Sequence, residues 1–229
     1  MDLKVIAFDA DDTLFVNEPY FQQSEQAFCD LLGDYLPRHE LEKELFRVEM
    51  QNLAEYGYGI KGFVLSMIET AYLVSDHTIP STTIAKIITL GKEMLHQPIE
   101  LIAGVEETLQ ALQGKYKLIV ATKGDLKDQQ RKLHDSGLGV YFHHIEVMAD
   151  KQVLNYQKLL TRLEVEPAHF MMIGNSLKSD VIPVLELGGY GVHVPFHITW
   201  EHEKVSHQVV HPQFTAIEKL SDLLTLLPY

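Results

Sequence analysis

The chain has 229 residues, 46% of them hydrophobic and 22% charged. That is enough apolar material for a packed core, and it excludes wholesale disorder, a collagen-like fibre and a disulfide mini-protein. Asp+Glu 32 against Lys+Arg 19 gives a net charge of −13, which argues against binding nucleic acid or an anionic membrane as the main task. A single cysteine, Cys29, precludes an intrachain disulfide and fits a reducing cytoplasm.

The N-terminus carries charges at Asp2, Lys4 and Asp9 and has no run suited to a signal peptide. No stretch approaches the roughly 20 apolar residues needed to cross a bilayer. Leu3–Phe8 reads as a buried strand that ends abruptly in acids. Residues 16–98 then show four amphipathic patterns. Tyr20, Ala27, Phe28, Leu31, Leu32 and Tyr35 recur at helical spacing before Pro37, and Leu41, Leu45 and Val48 continue the period. Phe63, Val64, Met67, Ile68 and Ala71 form a third stripe, and Ile84, Ile87, Ile88 and Met94 a fourth. The segment contains no convincing strand and reads as an all-helical insert.

From Leu101 onward strands and helices alternate. Thr108–Leu112 is predicted helical, Lys117–Ala121 a strand, Leu126–Leu133 a helix and Ile145–Met148 a strand. Val153–Leu163 follows as a helix, His169–Ile173 as a strand, Asp180–Leu187 as a helix and Gly191–Val194 as a strand. Ile217–Leu227 is predicted as a last helix. Such alternation implies an α/β, Rossmann-like parallel sheet with helices on both faces.

In sheets of this kind ligands sit at the carboxyl ends of the strands. The residues found there are Asp9-Ala10-Asp11-Asp12-Thr13, Thr122-Lys123-Gly124-Asp125, Asp150-Lys151 and Gly174-Asn175-Ser176 with Asp180. Gathering Asp9, Asp11 and Asp180 is costly without a cation, and Mg²⁺ takes oxygen ligands while leaving positions for phosphate. One carboxylate of an Asp-x-Asp pair can attack phosphorus and the other can pass a proton. Thr122 can donate to a phosphoryl oxygen, and Lys151 can neutralise both phosphate and nucleophile.

These segments resemble the four motifs of the haloacid dehalogenase-like (HAD) hydrolase superfamily. Phe8-Asp9-Ala10-Asp11-Asp12-Thr13-Leu14 is similar to the first, DxDxT. Ile119-Val120-Ala121-Thr122 resembles the second, Lys151 falls where the third-motif lysine belongs, and Ile173-Gly174-Asn175-Ser176 through Asp180 resembles the fourth. The resemblance implies a catalytic core over 1–15 and 99–229 with a helical cap over 16–98. It further implies Mg²⁺ dependence and most often phosphatase activity on a small phosphorylated metabolite, in a monomer or homodimer. Asp9 would be the nucleophile and Asp11 the acid/base. Ala10, Asp12, Thr122, Lys123 and Lys151 would meet the phosphate, and Asp9, Asp11, Asn175 and Asp180 the metal. An acid at position 11 favours phosphoryl chemistry, because dehalogenase members lack it.

Two positions depart from the pattern. Asp12 stands where Gly is frequent, which is tolerated if its backbone stays unstrained. Asn175 replaces an acid, keeping a carbonyl oxygen for the metal but removing one negative charge. A phosphomutase, a receiver-like phosphoacceptor module and a weakly catalytic binding protein draw on the same residues. The late histidines, His193, His197, His202, His207 and His211, lack the spacing of a zinc helix and read as surface or loop residues. Asn17, Tyr20 and Phe21 are candidate specificity residues.

Overall fold

The computed structural model describes residues 2–227. It contains two compact units. The first comprises the chain up to Glu18, Ile99–Lys123, and Gln129 onward. Its sheet has the order β3-β2-β1-β4-β5-β6 and is parallel throughout. The strands are β1 (Val5–Phe8), β2 (Lys117–Lys123), β3 (His144–Met148), β4 (Phe170–Gly174), β5 (Tyr190–His193) and β6 (Phe214–Ala216).

The central strands are apolar on both faces because both faces are covered. In β1, Val5 and Ala7 join Ile119, Ala121, Phe170 and Met172 in one cluster, while Ile6 and Phe8 join Leu118, Val120, Met171 and Ile173 in another. The first cluster is closed by Tyr156, Leu159 and Leu160 of α7 (Val153–Leu163) and by Val184 of α8 (Ile182–Glu186). The second is closed by Val105, Leu109 and Leu112 of α5 (Val105–Leu112) and by Leu223 of α9 (Leu223–Leu226). The period of two in the strands thus assigns each side chain to one of two cores.

Strand order reverses at β1: β2 and β3 run outward on one side, β4 to β6 on the other. Phe8 is level with Val120 of β2 and with Ile173 of β4. The residues just beyond β1 and β4 therefore flank the crevice that this topology opens. Beyond β1 the outgoing chain runs beside the returning one, with Phe15 opposite Leu101 and Val16 N–H donating to Glu100 O at 2.9 Å.

Two elements differ from the sequence reading. The helix expected over Ile217–Leu227 is only the single turn α9. Phe214–Ala216 instead pairs with β5 as an edge strand, and Ile217 N–H donates to His193 O at 2.9 Å. The three-residue spacing of Ile217, Leu220 and Leu223 fits a 3₁₀ turn as well as an α-helix. The helix expected from Asp180 starts as a π-helical turn, Leu177–Val181. Pro183 has no N–H to offer Ser179 O, which accepts instead from the buried Tyr156 hydroxyl at 3.0 Å.

The second unit comprises Pro19–Pro98 with Gly124–Asp128. It contains most of α1 (Glu18–Leu32), together with α2 (Arg38–Tyr56), α3 (Ile60–Val74) and α4 (Ser81–Leu95). Pro37 and Pro80 immediately precede α2 and α4, at φ −59° and −64°. There their fixed φ is compatible with helix entry. Phe28, Leu32, Leu41, Leu45, Phe63, Met67, Ile87 and Met94 make its core. The first residues of α6 (Leu126–Asp135) group with this unit and the rest of that helix with the first.

Gly91 of α4 faces Val64 of α3 so closely that a Cβ would lie 2.3 Å from Val64 Cγ2. Val64 is β-branched and has little rotamer freedom in a helix. Gly91→Ala is expected to cost about 1–2 kcal/mol, although alanine favours the helix by about 1 kcal/mol. Adding Val64→Ala should recover most of that loss. Urea denaturation of the single and double variants checks this, and a stabilised single variant contradicts it.

Candidate functional site

The site begins with Asp9, one residue beyond β1. Its N–H continues the ladder by donating to Ile173 O at 2.8 Å, which fixes its backbone at the crevice. Lys151, past the end of β3, donates from Nζ to Asp9 Oδ1 and, at 2.6 Å, to Asp180 Oδ1. Both partners of that second bond are 1% exposed. The other Asp180 oxygen accepts from Ser176 N–H at 3.0 Å. One buried ammonium thus holds two buried carboxylates contributed by segments 142 and 29 residues away.

Gly174 permits this arrangement. A Cβ there would fall 2.1 Å from Asp180 Oδ2 and 2.3 Å from its Cγ. No side chain fits between the end of β4 and the tucked carboxylate. Thr13 joins the other side of Asp9. Its Oγ1 lies 3.2 Å from Asp9 Oδ2 and 3.4 Å from Asn175 Oδ1, with one proton to share, and accepts from Asn175 N–H at 3.1 Å. The oxygens of Asp9 and Asn175 therefore converge around one hydroxyl.

Burial pushes the Asp9 carboxyl up to about 7 against the pull of the Lys151 charge, and the Asp180 charge adds to the rise. The Lys151 ammonium is held above its ordinary value. Burial opposes this, but Asp180 and Asp9 outweigh it. Two carboxylates and one ammonium leave a net negative charge when ionised.

The remaining acids of the first motif have separate partners. Asp11 Oδ1 is 2.5 Å from Lys132 Nζ, and its Oδ2 accepts from Gln129 Nε2 at 2.7 Å. No hydrogen bond joins Asp11 to Asp9, Asn175 or Lys151 among the described residues. Asp12 takes a left-handed backbone, φ 60°, so the condition for tolerating Asp where Gly is frequent is not met by an ordinary backbone here. Asp is among the residues that tolerate this region, and here the turn aims its carboxylate at the entry to α1. That carboxylate accepts from Asn17 N–H at 2.9 Å and Glu18 N–H at 3.0 Å. Burial lifts the carboxyl to about 7 despite these donors. Its own N–H donates to Phe15 O at 2.8 Å, so the Asp12 N–H and carboxylate, expected at the phosphate, are both engaged within the turn. Among the described residues no three His, Cys, Asp or Glu side chains are arranged to hold a metal. This follows from the acids being divided among Lys151, Lys132 and the first turn of α1.

Thr122 lies at the end of β2, 1% exposed, with its hydroxyl donating to Lys123 O at 3.1 Å. Lys123, expected at the phosphate, instead donates to Glu203 Oε1 at 2.6 Å and to Ser179 Oγ at 2.9 Å. Glu203 also accepts from the hydroxyls of Ser176 and Ser179. It holds the fourth-motif loop from a short 3₁₀ turn, Glu201–Glu203. His193 ends β5, half-buried rather than at the surface, with Nε2 3.0 Å from Asn175 O. Burial lowers its imidazole, which suits a neutral ring donating to that carbonyl.

Gln129, Lys132 and Glu203 were invisible as site residues to the sequence, whereas Thr13 stood in the first motif without a role of its own and His193 read as a surface or loop residue. Gln129 and Lys132 share one face of α6, but nothing local marks their partner 118 and 121 residues away. Glu203 sits in an irregular stretch whose periodicity carries no signal.

The Glu203 carboxyl is held at about 2. Burial alone would raise it, but the Lys123 charge and the donors on Lys123, Ser176 and Ser179 prevail. A depressed carboxyl stabilises the folded chain above the unfolded-state value and loses that contribution as pH falls toward the folded value. Glu203→Gln should therefore cost about 3 kcal/mol at pH 7, and the gap should close as pH falls from about 4.5 toward 2. Chemical denaturation of both proteins across that range measures it. A gap independent of pH would mean that the ionic contact contributes nothing.

A family model for haloacid dehalogenase-like hydrolases matches residues 3–188. The chain is 36% identical to a haloacid dehalogenase-like family hydrolase from Xanthomonas campestris, over 98% of this chain and 90% of that one, with a TM-score of 0.88. It is 27% identical over 137 residues to a HAD-hydrolase of Bacillus subtilis, YfnB. That match takes in 56% of this chain and 48% of YfnB, so it spans about half the length of this curated relative. The magnesium-bound structure of YfnB shares the fold at a TM-score of 0.65 and 18% identity, covering 99% of each chain. Other solved structures with this fold are named both as phosphatases and as haloacid dehalogenases. Motif order, sheet topology and a family match over most of the chain agree, and the chain belongs to the haloacid dehalogenase-like hydrolases.

Proposed function

We propose that the chain is a Mg²⁺-dependent phosphatase that hydrolyses a small phosphomonoester through an aspartyl-phosphate. The observation that carries this reading is the pinned Asp9 at the β1–β4 crevice, with a second acid two residues on that has its own partners. A carboxylate gripped by Lys151 and Thr13 is oriented before substrate arrives. An independently held Asp11 is available for proton transfer. A dehalogenase needs the first feature and not the second.

The donor chemistry fits Mg²⁺. Asp9 and Asn175 present convergent hard oxygens beside a net negative charge, and these two would hold the ion. Asp11 and Asp180 complete the donor set expected from the family motifs, Asp180 acting through its grip on Lys151. Bound there, Mg²⁺ would neutralise phosphoryl charge and keep Asp9 ionised. In the first step an Asp9 oxygen attacks phosphorus, the P–O bond to the leaving group breaks, and the Asp11 proton passes to the departing oxygen. In the second, water attacks phosphorus, gives its proton to Asp11, and the Asp9–phosphorus bond breaks to release phosphate. Lys151, Thr122 and the backbone at Ala10 stabilise the phosphoryl oxygens. This reading gives the chemistry to the sheet-containing unit and the choice of substrate to the helical unit. It places the enzyme in the cytoplasm, where the lone buried thiol of Cys29 stays reduced.

Turnover of p-nitrophenyl phosphate with Mg²⁺ tests the proposal. Asp9→Asn should abolish it, and Asp11→Asn should lower kcat/KM for phenyl phosphate, whose leaving oxygen needs a proton, by about 10²–10⁴. Wild-type turnover in the Asp9 variant would overturn the nucleophile. Halide release from a 2-haloalkanoate without any phosphate release would make the chain a dehalogenase.

A further inference from the structure

Asp11 is held by two side chains of one helix. Gln129 and Lys132 are three residues apart on α6 and therefore share a face. Lys132 Nζ meets Asp11 Oδ1 at 2.5 Å, and Gln129 Nε2 meets Oδ2 at 2.7 Å, so each carboxylate oxygen has its own donor. Neither donor is a loose surface group. Gln129 is 3% exposed and Lys132 is 7% exposed. Gln129 Nε2 also donates to Lys123 O at 2.7 Å. Lys132 Nζ also donates to Asn17 Oδ1 at 3.2 Å and lies 5.5 Å from the centre of the Phe15 ring. The Asp11 side chain keeps 26% of its surface exposed, so it is fixed and still reachable.

Gln129 carries an independent mark. Its Oε1 is buried without a partner among the described residues. Turning the amide over would aim that oxygen at Lys123 O, which can only accept, and would remove the N–H that Asp11 Oδ2 receives. The orientation that serves Asp11 thus leaves the carbonyl stranded. Buried unsatisfied groups are rare, and they persist where the surroundings dictate the geometry.

We propose that Gln129 and Lys132 are positioning residues that present Asp11 for proton transfer to the leaving oxygen. The inference rests on the phosphatase reading above and deepens it. During phosphoenzyme formation the Asp11 proton goes to the leaving oxygen as its bond to phosphorus breaks. The carboxylate left behind then faces the Lys132 ammonium and the Gln129 amide N–H. Both donors remain bonded to Asp11 and transfer no proton themselves.

The experiment compares two esters that differ in how much their leaving group needs a proton. p-Nitrophenolate departs readily unprotonated, and phenolate does so much less readily. With each ester, kcat/KM reports the steps through phosphoenzyme formation. Lys132→Met should depress kcat/KM for phenyl phosphate about tenfold more than for p-nitrophenyl phosphate, part of the factor that a general acid supplies. Gln129→Met should shift the ratio in the same direction, and it decides the matter if the lysine variant does not fold. Lys132→Arg, which retains charge and donor, should keep the ratio near that of the wild type. A general structural defect lowers both esters alike, and equal losses in Lys132→Met and Gln129→Met would overturn the inference. Failure of the wild-type chain to cleave either ester would instead overturn the phosphatase reading.

Discussion

A single buried ammonium between two buried carboxylates organises this site. Lys151 follows β3 and reaches Asp9 beyond β1 and Asp180 beyond β4, and no two of the three are neighbours in sequence. Removing Lys151 from this group leaves two carboxylates without their partner in a medium that solvates them poorly, a change that typically costs several kcal/mol. Geometry at Asp9 is therefore coupled to the packing of the whole sheet. The ladder bond from Asp9 N–H to β4, the absent side chain at Gly174 and the π-turn that carries Asp180 all serve the same contact.

The acids clustered in the sequence are dispersed in the fold. Asp9, Asp11 and Asp12 lie within four residues, yet they point to Lys151, to Lys132 and to the first N–H groups of α1. Each pairing removes a repulsion that a shared site would impose. The separation also permits different tasks from identical side chains. Asp9 is buried beside a shared cation, Asp11 is half-open between two donors, and Asp12 is a corner with a left-handed backbone. Environment rather than residue type distinguishes them.

Much of the fold was legible because buried parallel strands and amphipathic helices impose strong periodicities. The central strands and α1 to α4 follow from apolar spacing alone. The errors fell where two conformations satisfy one pattern. Ile217, Leu220 and Leu223 are all buried, as a helix would bury them, but an edge strand and a 3₁₀ turn do so as well. The candidate site was legible where its residues sit at or just beyond a strand's carboxyl end, as Asp9, Thr122, Lys151 and Asn175 do. Partners supplied by helix faces or irregular turns were not. Lys132 and Glu203 read as ordinary charged surface until three-dimensional neighbours are known, since their significance lies in contacts 121 and 80 residues away.

Asn175 illustrates how such contacts reinterpret a departure from the motif. From sequence the substitution keeps an oxygen for a metal and loses one negative charge. In the fold its side-chain oxygen shares the Thr13 hydroxyl with Asp9, its N–H donates to that same hydroxyl, and its carbonyl accepts from His193. An acid here would add a second uncompensated charge beside Asp9, whose carboxyl burial already pushes up to about 7. The amide supplies an oxygen of the same reach without that repulsion. Lys151 supplies a single positive charge to two carboxylates. The neutral residue thus keeps the net negative charge of the group at one while preserving its oxygen donors.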